Sequence, residues 1–426
     1  MDTIFALATA PGKAGVSVIR ISGPLAFDTA RALAGDLPSP RRAALRVLTD
    51  KNDRHLDDAL VLRFDAGSSF TGEDVIELQV HGSVAVISAV LGELGSISGL
   101  RLAEPGEFTR RAFENGAMDL TQVEALSDLI ESETEVQRQQ ALRVLSGELG
   151  DRVDGWRRDI VRAASLIEAT IDFADEEVPV DVTPEVFGLL ETVTTSISNE
   201  LKGLDASERV RSGFEIAIVG PPNAGKSTLL NYLAGRDAAI TSDIAGTTRD
   251  VIEVQMDITG LPVTFLDTAG LRDTDDVVES IGVERAKNRA LAADLRIHLV
   301  PSGEEPLIEV SDQDLVRQAK CDEVSEFGVS GKTGAGVPEL LSEVSKVLSE
   351  RVARSSLVSR ERHRLILEHG LECLTRALEL LRLGPEAYDI TSEEIRSAVI
   401  NLESLLGRVD VEHLLDEIFA NFCVGK

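Results

Sequence analysis

The sequence predicts a multidomain chain: an α+β domain first, then an α-helical domain into which an α/β domain of the phosphate-loop type is inserted. Three observations lead there. Short alternating strand patterns broken by Gly and Pro fill residues 1–118. Apolar residues recur at helical spacing over 119–210 and again over 352–426. Between them, in 211–351, an apolar β-branched run leads into a glycine-rich loop and a helix. A length of 426 residues exceeds one ordinary domain and accommodates two or three.

In the first segment, Gly15-Val-Ser-Val-Ile-Arg-Ile21 and Asp74-Val-Ile-Glu-Leu-Gln-Val80 alternate as strands do, and helical pieces near 24–34 and 83–94 complete an α+β pattern. From Asp119 the period changes. Leu120, Val123, Leu126, Leu129 and Ile130 follow one helix face, similar spacing runs through Leu142, Val153 and Ile160 to Ile171, and a further helix is expected over roughly 183–204. Beyond 355 the helical pattern returns in Leu365, Leu371, Leu374, Leu378 and Leu381, then in Ile395, Val399, Leu402 and Leu405. Helix on both sides of 211–351 suggests an insertion, which neighbouring termini make tolerable.

Composition narrows the function classes. The apolar fraction of 43% can fill several cores. A net charge of −30 argues against a generally basic nucleic-acid surface, and 4% aromatic residues leave little for base stacking. Both are compatible with a local basic patch, or with a partner that supplies most of the phosphate contacts. Cys321, Cys373 and Cys423 lack the spacing of a disulfide framework or a zinc site. With no signal peptide pattern and no apolar run near the length of a membrane span, a soluble, cytoplasmic chain is expected.

Gly220-Pro-Pro-Asn-Ala-Gly-Lys-Ser227 has the spacing of a phosphate-binding loop. Its backbone N–H groups, through Asn223, Ala224 and Gly225, can turn inward on a β-phosphate. Lys226 adds a point charge toward the β/γ-phosphates, and the Ser227 hydroxyl can ligate Mg²⁺. Phe214-Glu-Ile-Ala-Ile-Val219 before it suits a buried strand, while Thr228 to Ala234 read as helix and Gly235 as its stop. The plainer alternative is a chance glycine turn before a helix.

Two further segments fall where a GTPase needs them. Thr241-Ser-Asp-Ile-Ala-Gly-Thr-Thr-Arg-Asp250 is a polar loop that supplies Ser242, Asp243, Ile244, Ala245, Gly246 and Thr247, with Thr248 able to contact Mg²⁺ and the γ-phosphate. Val263 to Leu266 read as a strand ending in Asp267-Thr268-Ala269-Gly270, where Asp267 would serve the Mg²⁺ shell and the Gly270 amide would sense the γ-phosphate. Either segment alone could be an ordinary loop. For the base, Asp322 is the carboxylate able to accept from the guanine ring N–H and exocyclic amine together, with Lys320 over the ring and Ser330-Gly331-Lys332 as a second base-side loop. GTPases usually read Asn-Lys-x-Asp there. Ala319 removes the asparagine, which predicts weaker guanine affinity and leaves ordinary surface residues as an alternative for 319–322.

Leu271 follows Gly270 where small regulatory GTPases carry a water-orienting glutamine, so hydrolysis needs another route. The Asn223 side-chain carbonyl suits a monovalent cation beside the phosphates, and Glu279 lies on a segment that could swing in. On residue type alone, Glu279 reads equally as a solvated carboxylate.

Taken over its whole length, the chain resembles the MnmE (TrmE) family of tRNA-modification GTPases. The resemblance rests on Asp2-Thr-Ile-Phe-Ala-Leu-Ala-Thr-Ala-Pro-Gly12, Ile19-Arg-Ile-Ser-Gly23, Phe70-Thr-Gly-Glu-Asp74, His81-Gly82, Pro105-Gly-Glu-Phe-Thr109, Arg111-Ala-Phe113 and the final Phe422-Cys-Val-Gly-Lys426. It implies an α+β folate-binding domain, an α-helical domain and an inserted P-loop GTPase domain. It also implies a K⁺-stimulated GTPase activated when two such domains pair across their switch faces. Asn223, Ser242, Ile244 and Thr247 would surround K⁺, with Ser242 in place of the family's threonine. Ser227 and Thr248 would ligate Mg²⁺, and Glu279 would help position water.

The resemblance further implies a 5-formyltetrahydrofolate or related tetrahydrofolate site at Arg20, Glu77 and Lys426, homodimers through the N-terminal domains, tRNA as substrate, and an FAD-binding partner of the MnmG type. Together these would add an aminomethyl or carboxymethylaminomethyl group at C5 of the wobble uridine. Without the resemblance, Arg20 and Glu77 pass as cross-strand charges and Lys426 as a tail end. Ala117 stands where family members often carry lysine. Cys423 reads as a small buried residue, with a chemical role beside the folate left open. A GTPase switch of another class, such as a ribosome-assembly factor, is the alternative; the N-terminal domain and the terminal Cys423-Val-Gly-Lys426 discriminate, since assembly GTPases usually append RNA-binding domains instead. A scaffold with weak nucleotide turnover is suggested only by Ala319.

Overall fold

The computed structural model describes the chain except residues 1, 173–180, 237, 241–252, 268–290, 323–327, 410–414, 416–417, 420–421, 423–424 and 426. Its described residues form two compact units, Met1–Ser127 with Glu403–Lys426, and Asp128–Leu402.

The first unit is built on a six-stranded sheet. In chain order the strands are β1 (Thr3–Leu7), β2 (Ser17–Ser22), β3 (Ala43–Thr49), β4 (His55–Phe64), β5 (Val75–Val80) and β6 (Leu100–Leu102), arranged β3-β4-β5-β2-β1-β6. All neighbours are antiparallel except β1 and β6. The alternation read in the sequence reports the burial: Ile76, Leu78 and Val80 are buried, while Glu77 and Gln79 are half-buried. Helices α1 (Ala26–Ala34) and α2 (Val84–Ser96) cover one face, where Phe5, Ile19, Ile21, Leu78 and Leu94 form the core. On the other face Ile4 and Ala6 of β1 pack under Phe108 of α3 (Glu107–Glu114), with Phe70 alongside. The returning C-terminal segment joins this unit, with Phe419 and Phe422 against Val123 of α4 (Leu120–Glu131).

A buried guanidinium ties the unit together. Arg111 donates to Glu73 (3.1 and 3.2 Å), to Glu107 (3.0 Å) and to the Asp2 side chain and carbonyl (2.8 Å each). Burial alone would lower the Arg111 pKa, but the two glutamates more than offset it and hold the charge in place.

The second unit begins with α5 (Glu135–Leu145), α6 (Glu148–Asp172) and α7 (Thr183–Ser212). Helix α7 runs to Ser212, past the stop near 204 expected from the sequence. Gly203, inside the helix, makes room for a neighbouring segment. A Cβ there would come within 2.5 Å of Arg354 O on the strap that returns along α7. Ser207 Oγ donates to Ser356 O at 2.8 Å, and the Leu357 N–H donates to Glu200 at 3.0 Å, fixing that strap.

From α7 the chain enters a second sheet: β7 (Phe214–Val219), β8 (Glu253–Ile258), β9 (Leu261–Asp267), β10 (Leu295–Val300), β11 (Leu315–Ala319) and β12 (Gly328–Val329), ordered β12-β11-β10-β7-β9-β8. Every pairing is parallel except β8 with β9. The central strands β7, β9 and β10 read as nearly continuous apolar runs because both their faces are buried, whereas β8 and β11 alternate buried with exposed residues. Helix α8 (Lys226–Ala234) follows β7, and α9 (Val337–Val352) leads back to the helical elements α10 (Glu361–Leu381) and α11 (Tyr388–Leu405). No described helix is long and apolar enough to cross a membrane.

Candidate functional site

The phosphate loop lies between the end of β7 and the start of α8. Asn223 (φ +63°) and Gly225 (φ +100°) both take left-handed backbone, the second where a side chain is poorly tolerated, so the peptide planes curl into a nest. Lys226 opens α8, two residues earlier than the helix read from the sequence, and is buried. Its Nζ donates to Gly220 O at 2.7 Å and Pro221 O at 3.0 Å, so the ammonium lies along the loop's own carbonyls.

Ser227 Oγ donates to Asp267 Oδ2 at 2.7 Å. Sheet topology makes this pair: β7 and β9 are parallel neighbours with Ile218 opposite Asp267, so the carboxylate emerges beside the loop that follows β7. A hydroxyl and a carboxylate side by side at a helix N-terminus are hard oxygen donors, the set that Mg²⁺ prefers. Asp267 is buried, Thr228 exposed.

The base-side residues share the same cleft. Ala319 ends β11 and is buried; Lys320 (φ +57°) turns the chain, and its Cγ stands 4.0 Å from where a Cβ on Gly225 would be. Asp322 Oδ1 accepts from Ser330 Oγ at 2.8 Å. Ser330 is buried, and its hydroxyl also accepts from the Lys332 and Thr333 N–H groups at 3.2 Å each. A cleft of about 270 Å³ is lined by Ala224, Gly225 and Thr228 on one side and by Lys320, Asp322, Ser330, Gly331 and Lys332 on the other. The α8 N-terminus with Lys226 on the loop side, facing Asp322 with Lys320 and Lys332 on the other, suits a polyanion attached to a hydrogen-bonding ring. Leu229, Leu299 and Val329 add an apolar wall that no motif announced.

Ser242, Asp243, Ile244, Ala245, Gly246, Thr247, Thr248, Thr268, Ala269, Gly270 and Glu279 lie outside the described residues, as do Cys423 and Lys426.

In the first unit, Arg20 and Glu77 stand directly opposite on β2 and β5. Arg20 Nη2 and Nε reach Glu77 Oε1 at 2.9 and 3.1 Å. The guanidinium also lies over the rings of Phe70 and Phe108, 5.0 and 5.5 Å from their centroids. These two rings were not singled out from the sequence as site residues, although both belong to the motifs Phe70-Thr-Gly-Glu-Asp74 and Pro105-Gly-Glu-Phe-Thr109. Gly425 approaches so closely that a Cβ on it would collide with Leu7 and Ala8, so the chain's end reaches the strand beside β2.

Family descriptions match nearly the whole chain: "GTP-binding protein TrmE N-terminus" over residues 3–117 and "MnmE helical domain" over residues 120–423. The tRNA modification GTPase MnmE of Roseobacter denitrificans is 60% identical over 428 residues, spanning 100% of both chains. The chain belongs to the MnmE family. A second MnmE, from Ruegeria pomeroyi, is 57% identical over 429 residues with the same full coverage. Among solved structures, Era of Aquifex aeolicus bound to GDP and aluminium fluoride is 28% identical over 32% of this chain and 56% of its own, at a TM-score of 0.25. The MnmE helical-domain match runs through the whole phosphate-loop region.

Proposed function

We propose that the chain is a K⁺-stimulated GTP hydrolase that acts, with an FAD-binding partner of the MnmG type, to add an aminomethyl or carboxymethylaminomethyl group at C5 of the wobble uridine of certain tRNAs. The observation that carries the hydrolase reading is a cleft shared by the phosphate loop and the Asp322–Ser330 pair, with the Ser227–Asp267 pair at the head of the same helix α8. Membership of the MnmE family supports the rest.

In this reading the phosphate-loop N–H groups and Lys226 cradle the β- and γ-phosphates, and Asp322 accepts from the guanine edge under Lys320. Ser227 and Thr248 would ligate Mg²⁺, with Asp267 orienting Ser227; the ion would neutralise charge on the bridging phosphate oxygens. Asn223, Ser242, Ile244 and Thr247 would hold K⁺, which takes the place of an arginine finger, and Glu279 would orient the attacking water. Two GTPase domains would close on each other to complete these sites.

The first unit would hold 5-formyltetrahydrofolate or a related tetrahydrofolate through Arg20, Glu77 and Lys426. Both Arg20 bonds fall on Glu77 Oε1, and among the described residues Oε2 has no partner, which suits pairing with an aminopyrimidine edge. Residues 1–118 would then be the folate-binding and dimer-forming part, 119–210 with 352–426 the helical frame, and 211–351 the hydrolase, all in the cytoplasm.

Replacing Na⁺ by K⁺ at equal ionic strength tests the cation assignment. GTP turnover should rise by about an order of magnitude, and Asn223→Ala should remove that difference while GTP binding persists. Equal rates in the two salts would sink the assignment.

A further inference from the structure

The framework of the first unit consumes most of its motif residues. Ser22 Oγ lies 2.7 Å from both Thr71 Oγ1 and Glu73 Oε2, Glu73 and Glu107 hold Arg111, and Asn115 donates to Thr71 O at 2.7 Å. Gly82 is likewise explained by packing. The Ala14 N–H donates to Gly82 O at 2.9 Å, and a Cβ on Gly82 would collide with Ala14.

The His81 ring is left over. Asp57 of β4 accepts from the His81 backbone N–H through Oδ2 at 2.7 Å and meets the ring Nδ1 through Oδ1, also at 2.7 Å. The Asp57 side chain is 10% exposed, the His81 side chain 69%. Burial pushes the Asp57 carboxyl up, but the His81 N–H and ring together hold it below the usual carboxylate range. An ionised Asp57 only accepts, so Nδ1 carries the proton and Nε2 the lone pair. Among the described residues Nε2 has no partner. A clamp on the turn needs only the backbone bond; the second bond fixes the tautomer and direction of an exposed imidazole.

Its place is informative. His81 follows β5 directly, four residues and about 13 Å of strand rise beyond Glu77. The loop packed on Gly82 is the one joining β1 to β2, and it starts at Ala8, where Gly425 arrives. Arg20 and Glu77 pair in the middle of the sheet, whereas this loop, Gly425 and His81 gather at its end, beyond the Ser17–Val80 pair.

We propose that His81, oriented by Asp57, is a proton-transfer residue of a reactive centre at this end of the sheet, serving a small ligand that reacts through an N–H or O–H group. The proposal rests on the reading that the chain takes part in attaching an aminomethyl-type group. As the ligand's nitrogen or oxygen bonds to an electrophilic carbon, its proton passes to His81 Nε2, and Asp57 balances the imidazolium. As the carbon's bond to its carrier atom breaks, the carrier takes that proton and the bonding electron pair, so none is gained or lost overall.

The test uses the full chain with its FAD-binding partner, GTP and unmodified tRNA, reading modified nucleoside, GTP turnover and melting temperature together. His81→Ala should lower nucleoside formation by about a hundredfold or more, the usual share of general acid–base catalysis, while GTP turnover and melting stay unchanged. His81→Asn keeps a donor for Asp57 and should be folded yet equally slow. Asp57→Asn should slow modification while GTP turnover and melting stay unchanged, because the imidazolium formed in the step loses its counter-charge. The other titratable groups nearest in sequence on the strands and loop about the ring are His55 and Asp58 on β4, 3.2 Å from each other, Glu77 on β5 and Lys13 on the β1–β2 loop. Wild-type modification by His81→Asn, or loss of GTP turnover in parallel, would overturn the proposal. A wild-type reaction yielding no modified nucleoside would overturn the functional reading, and this proposal with it.

Discussion

Asp322→Asn should cost at least about a hundredfold in GTP affinity, since two hydrogen bonds to a charged acceptor contribute about 1.5–3 kcal/mol each. Xanthosine triphosphate should gain in return, because its C2 carbonyl can accept from the new amide where guanine presents an amine. The site magnifies this effect. Ala319 offers no side-chain amide to brace the base loop, and among the described residues Ser330 Oγ is the only partner recorded for the Asp322 carboxylate. Titration of fluorescent guanine and xanthine nucleotides checks the outcome. An unchanged ratio of affinities would place base recognition elsewhere.

Lys226→Ala should lower GTP hydrolysis by about 10²–10³-fold, the usual loss when one charge-stabilising donor is removed from a transition state. The ammonium is buried at the head of α8 and bonded to two carbonyls of its own loop, so it is already placed where the β/γ-phosphates would sit. Its removal takes away both that charge and a tie inside the loop. Lys226→Met keeps the stem but loses both, so melting separates them: equal losses in the two variants with melting preserved assign the effect to charge. Single-turnover hydrolysis near the wild-type rate in either variant would contradict the role.

What the sequence reveals and what it hides follow from range. The strand, loop and helix at 214–235 are legible because each is fixed by neighbours a few residues away: apolar run, glycine spacing, helical period. The Ser227–Asp267 contact spans 40 residues; the sequence offered each only as a residue of a Mg²⁺ site, and it is the parallel pairing of β7 with β9 that brings them together.

Gly203 shows the opposite case. Nothing near it in the chain explains a glycine inside α7; the strap at Arg354–Ser356, about 150 residues away, does. Phe70 and Phe108 around Arg20 are hidden in the same way. Each packs well as an ordinary core aromatic, and nothing local says that both rings meet one guanidinium. The Asp57–His81 pair also joins a residue of β4 to the one that follows β5, so the sequence offers only the dipeptide His81-Gly82.

The central claim is that GTP hydrolysis in this chain serves chemistry on tRNA. Nucleoside analysis of tRNA from cells lacking the protein tests it most directly. The account predicts that C5-modified wobble uridine disappears from the affected tRNAs and returns when the wild-type chain, but not Lys226→Ala, is restored. Intact C5-modified wobble uridine in the deletion strain would contradict it.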